Sequence, residues 1–204
     1  MDRAEAMRRL RARLTNEPVV VSLGHPAYDL FAAGDRDLNF YTWGSMGLTS
    51  SIALGLAMAR TERRVIAVDG DGSILMNLGS LATIGAASPR NLVVLVMDNE
   101  LYATTGGQET FTARTADLEA AGRAMGIANA RTVRDAAAFE RALDETARLP
   151  GPWLVVAKVS ESSPAVKPPT DCAYIRHRFM AAMGTEQNEE RRTKNVEPND
   201  GWSA

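Results

Sequence analysis

Runs of β-branched and apolar residues recur along the chain, separated by longer alanine-rich stretches, and that alternation predicts a parallel sheet whose strands are joined by helices. The clearest strand is Val65 to Asp69, an unbroken apolar run closed by an acid. Leu92 to Met97 and Trp153 to Val159 have the same character, and Val19 to Ser22 and Ala130 to Val133 are shorter versions of it. Continuous apolar runs suit strands covered on both faces, so all but one of these are expected inside the sheet.

Between them, Ala4 to Leu14, Ser50 to Arg60, Ser80 to Ala87, Ala116 to Met125 and Ala136 to Leu149 carry good helix formers, with Leu, Met or Ile at three- and four-residue intervals. Pro18, Pro89 and Pro150-Gly151-Pro152 mark helix-to-strand transitions, because proline cannot continue a helix. The expected architecture is therefore an α/β domain of three layers, α/β/α, with a mostly parallel sheet over residues 1–160. After Glu161 the apolar density falls. Tyr174, Ile175, Phe179, Met180 and Met183 fit one face of a terminal helix in an extension over 161–184, docked on the body or on another chain. The polar stretch 185–204 has too little apolar area to offset its ordering entropy and is expected to be a mobile tail.

Composition narrows the function. With 204 residues and a net charge of -2, the chain has no broad basic field for nucleic acid or an acidic membrane surface. Its longest apolar runs, Val19 to Leu23 and Leu92 to Met97, fall far short of the roughly 20 residues a membrane helix needs. The segment Met1 to Leu14 lacks the apolar stretch of a secretory signal, and the lone Cys172 reads as an inert thiol, which together suggest the cytoplasm. An anionic ligand would need a local site.

The strand Val65 to Asp69 runs into Gly70-Asp71-Gly72-Ser73. In open α/β sheets ligands bind at the carboxyl ends of strands, and glycines flanking an acid let backbone amides approach a phosphate while the carboxylate faces a metal. Alone, this is also an ordinary turn signal. The next strand ends in Asp98-Asn99, so adjacent strand ends offer oxygen ligands. Mg²⁺ takes hard oxygens and commonly keeps phosphate and water in its octahedron, which suits Asp71, Asn99 and the carbonyl of Leu101.

Gly70-Asp71-Gly72-Ser73 followed by Asn99 resembles the cofactor signature of thiamine-diphosphate enzymes, and Gly44-Ser45-Met46-Gly47 is similar in order and spacing. The run from Met97 through Asn99, Leu101 and Tyr102 to Gln108 resembles the 2-oxo-acid decarboxylase branch acting on sulfopyruvate and phosphonopyruvate. The resemblance implies a thiamine-diphosphate-binding fold in which Asp71, Asn99 and the Leu101 carbonyl hold Mg²⁺, with Tyr102 beside them. It further implies that Gly70, Gly72 and Ser73 cradle the diphosphate. Gly44 would accept from the aminopyrimidine, with Ser45 adjacent, and Met46 would be the apolar wedge beneath the cofactor. Gly24 and His25, in the loop after the first strand, would contact diphosphate or substrate; a surface role suits His25 equally. Thr104, Thr105 and Gln108 are read as lid or substrate contacts or as plain surface, and His177 as a solvated residue.

In the family, the glutamate that activates the pyrimidine lies in a separate domain, for which this chain has no room. The resemblance thus implies a partner α subunit in a hetero-oligomer, α2β2 or higher, and release of CO₂ from a small 2-oxo acid with a second anionic group. One departure is Glu100, where the family usually has a small residue such as Gly. It bears on the substrate more than on the cofactor, and leaves open a carboligase, a decarboxylase of a specialised pathway, or a non-catalytic subunit with the same fold.

Overall fold

A computed structural model describes residues 1–163 and 165–185. In chain order the elements are α1 (Arg3–Arg11), β1 (Val19–Val21), α2 (His25–Ala33), β2 (Asn39–Tyr41), α3 (Thr49–Ala59), β3 (Val65–Gly70), α4 (Asp71–Met76), α5 (Gly79–Ala87), β4 (Leu92–Asp98), β5 (Leu101–Tyr102), β6 (Gln108–Glu109), α6 (Leu118–Ala124), β7 (Asn129–Val133), α7 (Ala136–Arg148), β8 (Trp153–Lys158) and α8 (Cys172–Ala182). Six strands form one sheet in the order β2-β1-β3-β4-β8-β7, and every pairing in it is parallel. β5 and β6 make a separate antiparallel ribbon.

Alternate residues of each central strand face opposite helical layers, as a two-residue period requires. Val19, Val21, Ile66, Val68, Val93 and Leu95 pack with Met7, Leu10, Leu30, Phe139 and Leu143 of α1, α2 and α7. Val20, Val65, Ala67, Val94 and Val96 pack on the other side with Ala53, Leu54, Ile74, Leu81 and Ile84 of α3, α4 and α5. The three layers expected from sequence are present. Of the strands foreseen, only β7 lies at an edge, because β2 covers β1.

β2 itself was not foreseen: Asn39–Tyr41 is short and mixed in polarity, and its pairing is fixed by the neighbour β1. The Gly24-His25-Pro26 segment, expected as a loop, is a helix start, with Gly24 as N-cap at φ 81° and Pro26 in the first turn of α2. Residues 161–163 and 165–171 are not helical, but α8 docks on its own body through Ile175, Phe179 and Met183, with Phe179 against Phe40 at a ring separation of 5.2 Å. Tyr174, assigned to that apolar face, is 50 % exposed instead. Arg178 fixes the helix at the β2 edge by pairing with Asp35 and donating to the Asn39 carbonyl. Of the tail expected to be mobile, residues 186–204 lie outside the described residues. Among the described residues no helix is long and apolar enough to cross a membrane.

The first residues are stitched to the exit of β8. Asp2 forms a parallel bridge with Ser160, the Arg3 amide donates to the Ser160 carbonyl at 3.1 Å, and the Ser160 amide donates to Met1 at 3.2 Å. Asp2 also caps α1, accepting from the Glu5 amide at 2.6 Å. Arg3 is thereby brought to the carboxyl edge of the sheet.

Candidate cofactor and metal site

Chain direction diverges at β1 and β3: the connection after β1 leads to β2 on one side, and β3 continues on the other. Ligands in doubly wound sheets sit at such a switch point, outside the strand carboxyl ends. There the protein has an open cleft lined by Arg3, Ser22, Leu23, His25, Pro26, Met46, Gly70–Ser73, Met97, Asn99 and Leu101–Thr105. It gathers His25, Met46, Gly70, Asp71, Gly72, Ser73, Asn99, Leu101 and Tyr102 from four separate stretches of sequence. Gly24, Gly44 and Ser45 lie beside it rather than in its wall. Gln108 is exposed in β6, away from the lining, and His177 and Cys172 are exposed on α8.

Asp71 opens α4 and is 1 % exposed. Thr110 Oγ1 donates to its Oδ2 at 2.5 Å, and Thr112 Oγ1 lies 3.0 Å from the same oxygen. Both hydroxyls thus gather on one oxygen of a carboxylate that lines the cleft. Thr112 also reaches Asp98 Oδ1 at 2.8 Å, and Asp98 pairs through Oδ2 with Lys158 at 2.8 Å. Burial raises the Asp71 carboxyl above its ordinary pKa; the Thr110 hydroxyl opposes this and the Asp98 charge adds to it. A divalent cation would reverse that preference by stabilising the ionised form.

Asp69, two residues earlier, is fully buried, with Oδ1 accepting from the Gly70 amide at 3.0 Å and Oδ2 without a partner. Burial pushes this carboxyl up to about 6, offset in part by the nearby Ser73 and Ser22 hydroxyls. Ser73 accepts from the Gly47 amide at 2.9 Å, and Asn77 donates to the Gly47 carbonyl at 2.9 Å. These bonds tie the loop carrying Gly44 and Met46 to α4.

Two glycines are required sterically. A Cβ on Gly72 would lie 2.3 Å from Tyr102 Cε1, so only glycine lets the Tyr102 ring rest on this turn. A Cβ on Gly24 would meet Thr104 Cγ2 at 2.8 Å, and its φ of 81° is unfavourable for other residues. By contrast, Gly70 and Gly44 have nothing within 4 Å of a Cβ position and leave open space beside the cleft.

Glu100 lies in the left-handed region at φ 65°, which accounts for a small residue or Gly at this position in the family it resembles. Its side chain turns to Lys158, 2.6 Å away, and does not line the cleft. The departure noted in the sequence is thus a backbone matter with a compensating ion pair.

Asn99 Nδ2 donates to Glu161 Oε1, and Asn99 Oδ1 has a long contact of 3.4 Å from the Leu101 amide. Glu161 is held by Arg3, which forks onto it at 2.9 and 3.2 Å, and contacts His25 Nδ1 at 3.3 Å. Burial disfavours ionised Glu161, but Arg3 and Asn99 outweigh that and hold its carboxyl below the usual range. Arg3, 2 % exposed, also pairs with buried Asp29 at 2.7 Å and bonds Ser162. Sequence reasoning missed Arg3, Glu161, Thr110 and Thr112. Only the Thr-x-Thr spacing was visible beforehand, and it carries no signal alone.

Among the described residues, no group of three or more His, Cys, Asp or Glu is placed to hold a metal. A cation here would rest on a carboxylate, an amide oxygen and a carbonyl, with its other ligands from a diphosphate and water, as Mg²⁺ accepts. The Asp71 carboxylate, the weakly engaged Asn99 oxygen and the open glycine surface fit such a group.

Residues 27–157 match the family model for the thiamine pyrophosphate enzyme, C-terminal TPP binding domain. The chain belongs to this family. It is 43 % identical over 192 residues to sulfopyruvate decarboxylase subunit beta of Methanococcus maripaludis, covering 90 % of this chain and 98 % of that relative. Phosphonopyruvate decarboxylase of Streptomyces viridochromogenes is 39 % identical over 190 residues, covering 90 % of this chain but 46 % of that longer protein. An X-ray structure from Mycobacterium smegmatis, described as a thiamin diphosphate-dependent enzyme, superposes with a TM-score of 0.65 at 21 % identity, over 80 % of this chain and 32 % of that one. That likeness establishes the fold.

Proposed function

We propose that the chain is the β-type, cofactor-binding subunit of a thiamine-diphosphate-dependent decarboxylase, acting on a small 2-oxo acid with a second anionic group such as sulfopyruvate or phosphonopyruvate, and active only with a partner subunit. The observation that carries this reading is the convergence of Asp71, Asn99, Leu101 and Met46 on one cleft in a chain that matches a sulfopyruvate decarboxylase β subunit nearly end to end. The phosphonopyruvate relative is about twice the matched length, which supports the remaining half coming from an α subunit in the present case.

Bound thiamine diphosphate supplies an electron sink for the bond that breaks as CO₂ leaves a 2-oxo acid. The chain's own residues position it. Asp71, Asn99 and the Leu101 carbonyl would hold Mg²⁺, and the Gly72 and Ser73 amides, in the first turn of α4, would donate to the diphosphate with Gly70 leaving room. Met46 would supply an apolar support under the cofactor, and the Gly44 carbonyl would accept from its amino group. Tyr102 lies against Gly72 and Thr104 against Gly24, with Thr105 also in the lining, and these side chains would face the bound cofactor and substrate. His25, in the cleft lining and 3.3 Å from Glu161, would meet the diphosphate or an anionic group of the substrate.

Reconstitution with a candidate α subunit, followed by CO₂ release from sulfopyruvate and phosphonopyruvate, tests the reading. Turnover only in the mixture, dependent on Mg²⁺, is expected. Absence of CO₂ from either acid, in a complex that forms and binds the cofactor, would overturn it in favour of a carboligase or a silent subunit.

A further inference from the structure

We propose that Glu161 is a positioning residue for Asn99: by taking up the amide's Nδ2 it directs Oδ1 to the cation in the cleft. The inference rests on the metal reading of Asn99 and deepens it.

A carboxamide presents donors at one end and an acceptor at the other, so fixing the NH₂ group fixes where the oxygen points. Glu161 accepts from Asn99 Nδ2 through Oε1. Among the described residues, the contact recorded on Asn99 Oδ1 is a long hydrogen bond from the Leu101 amide at 3.4 Å, weaker than a bond of ordinary length. Without Glu161 this partly exposed side chain would be free to turn its NH₂ group to the cation.

Glu161 lies after β8 in a segment without helix or strand, where a carboxylate would ordinarily move. Arg3 prevents that. Nη1 donates to Oε1 and Nη2 to Oε2, a two-point fork that sets the plane of the carboxylate as well as its distance. The guanidinium is itself immobile, since Nε is paired with Asp29 Oδ2 at 2.7 Å and Nη2 is bonded to the Ser162 carbonyl at 3.2 Å and hydroxyl at 3.0 Å. The backbone bonds between Met1–Arg3 and Ser160 place both partners. Position is thus relayed from Asp29 through Arg3 and Glu161 to Asn99. Outer-shell partners of this kind orient metal ligands elsewhere, and their loss costs about 10–100-fold in metal affinity.

The first test needs no ligand. In ¹⁵N spectra of the full chain, the Asn99 side-chain amide, assigned by its loss in Asn99→Ala, should be shifted from the solvated position and should return to it in Glu161→Ala. Unchanged resonances would overturn the proposal. The second is Mn²⁺ titration by electron paramagnetic resonance with thiamine diphosphate present, with melting curves confirming that each variant folds. Glu161→Ala leaves Arg3 paired with Asp29, and should weaken Mn²⁺ about 10–100-fold. Glu161→Gln, which keeps an acceptor for Asn99 but no charge, should recover most of the loss. Gln as weak as Ala would assign the effect to charge alone and overturn the positioning role. Wild-type affinity in Glu161→Ala would overturn it too. Failure of the wild type itself to bind Mn²⁺ would instead remove the metal reading, and this role with it.

Discussion

The proposed metal ligands Asp71 and Asn99 stand at the ends of adjacent strands yet are supported in opposite ways. Asp71 is buried, and it is held from within the site by Thr110 and Thr112, which connect to Asp98 and Lys158. Asn99 sits at the rim and is held from outside by Glu161, which depends on Arg3 from the opposite end of the chain. The inner ligand is a charged acceptor that needs little orienting but costs energy to bury. The outer one is a neutral amide that costs little to bury but has to be oriented. Each support matches the weakness of its ligand.

The largest difference should come from removing the ligand itself. Asp71→Ala should abolish Mg²⁺-dependent binding of thiamine diphosphate in calorimetric titration while leaving the circular dichroism spectrum unchanged, since the Thr110 and Thr112 hydroxyls can still bond each other at 2.8 Å. Retained binding would mean the inner ligand has been misplaced.

On the outer side, Arg3→Met strikes the support rather than the ligand. It leaves Asp29 buried without its cation, and loss of one partner from a buried pair costs about 3–5 kcal/mol. Urea unfolding should report that loss, and the variant should also bind metal more weakly because Glu161 is released. A stability change near zero would contradict the anchoring role given to Arg3.

Thr112→Val should have a smaller effect. It removes the hydroxyl between Asp71 and Asp98, leaving Thr110 on Asp71 and Lys158 on Asp98, and should weaken Mg²⁺ binding about tenfold by losing one outer-shell bond. An effect as large as that of Asp71→Ala would show that the two hydroxyls act as a single unit.

A separate effect, on stability rather than on metal binding, concerns Asp69, behind the inner ligand. Its carboxyl is raised to about 6 in the folded chain, so between roughly pH 4 and 6 the unfolded chain loses this proton while the folded chain keeps it. The contribution is favourable below that window and is lost as pH rises through it. Relative to Asp69→Asn, the metal-free wild type should lose about 3 kcal/mol across the window. Parallel pH profiles of the two proteins in chemical denaturation would show that burial does not disfavour the Asp69 charge.

Much of this arrangement was legible in the sequence. Apolar runs announced the central strands, and Gly-Asp-Gly-Ser with the later Asn pointed to the strand ends that line the cleft, because strand-end chemistry is local. β2 was not legible, since Asn39–Tyr41 owes its pairing to β1 rather than to its own pattern. Gly24-His25-Pro26 reads as a loop because glycine and proline mark loops as well as helix starts, and here they open α2. The supports were hidden for a different reason. Glu161 is separated from Asn99 by 62 residues and from Arg3 by 158, so no spacing rule connects them. Glu100 looked like a substrate-specific departure until its positive φ and its bond to Lys158 placed it outside the cleft.

The most direct measurement is calorimetric titration of thiamine diphosphate, with and without Mg²⁺, into the chain alone and mixed with its candidate α subunit. Mg²⁺-dependent binding, strongest in the mixture and absent in Asp71→Ala, is expected. Binding that ignores both Mg²⁺ and Asp71 would contradict this reading.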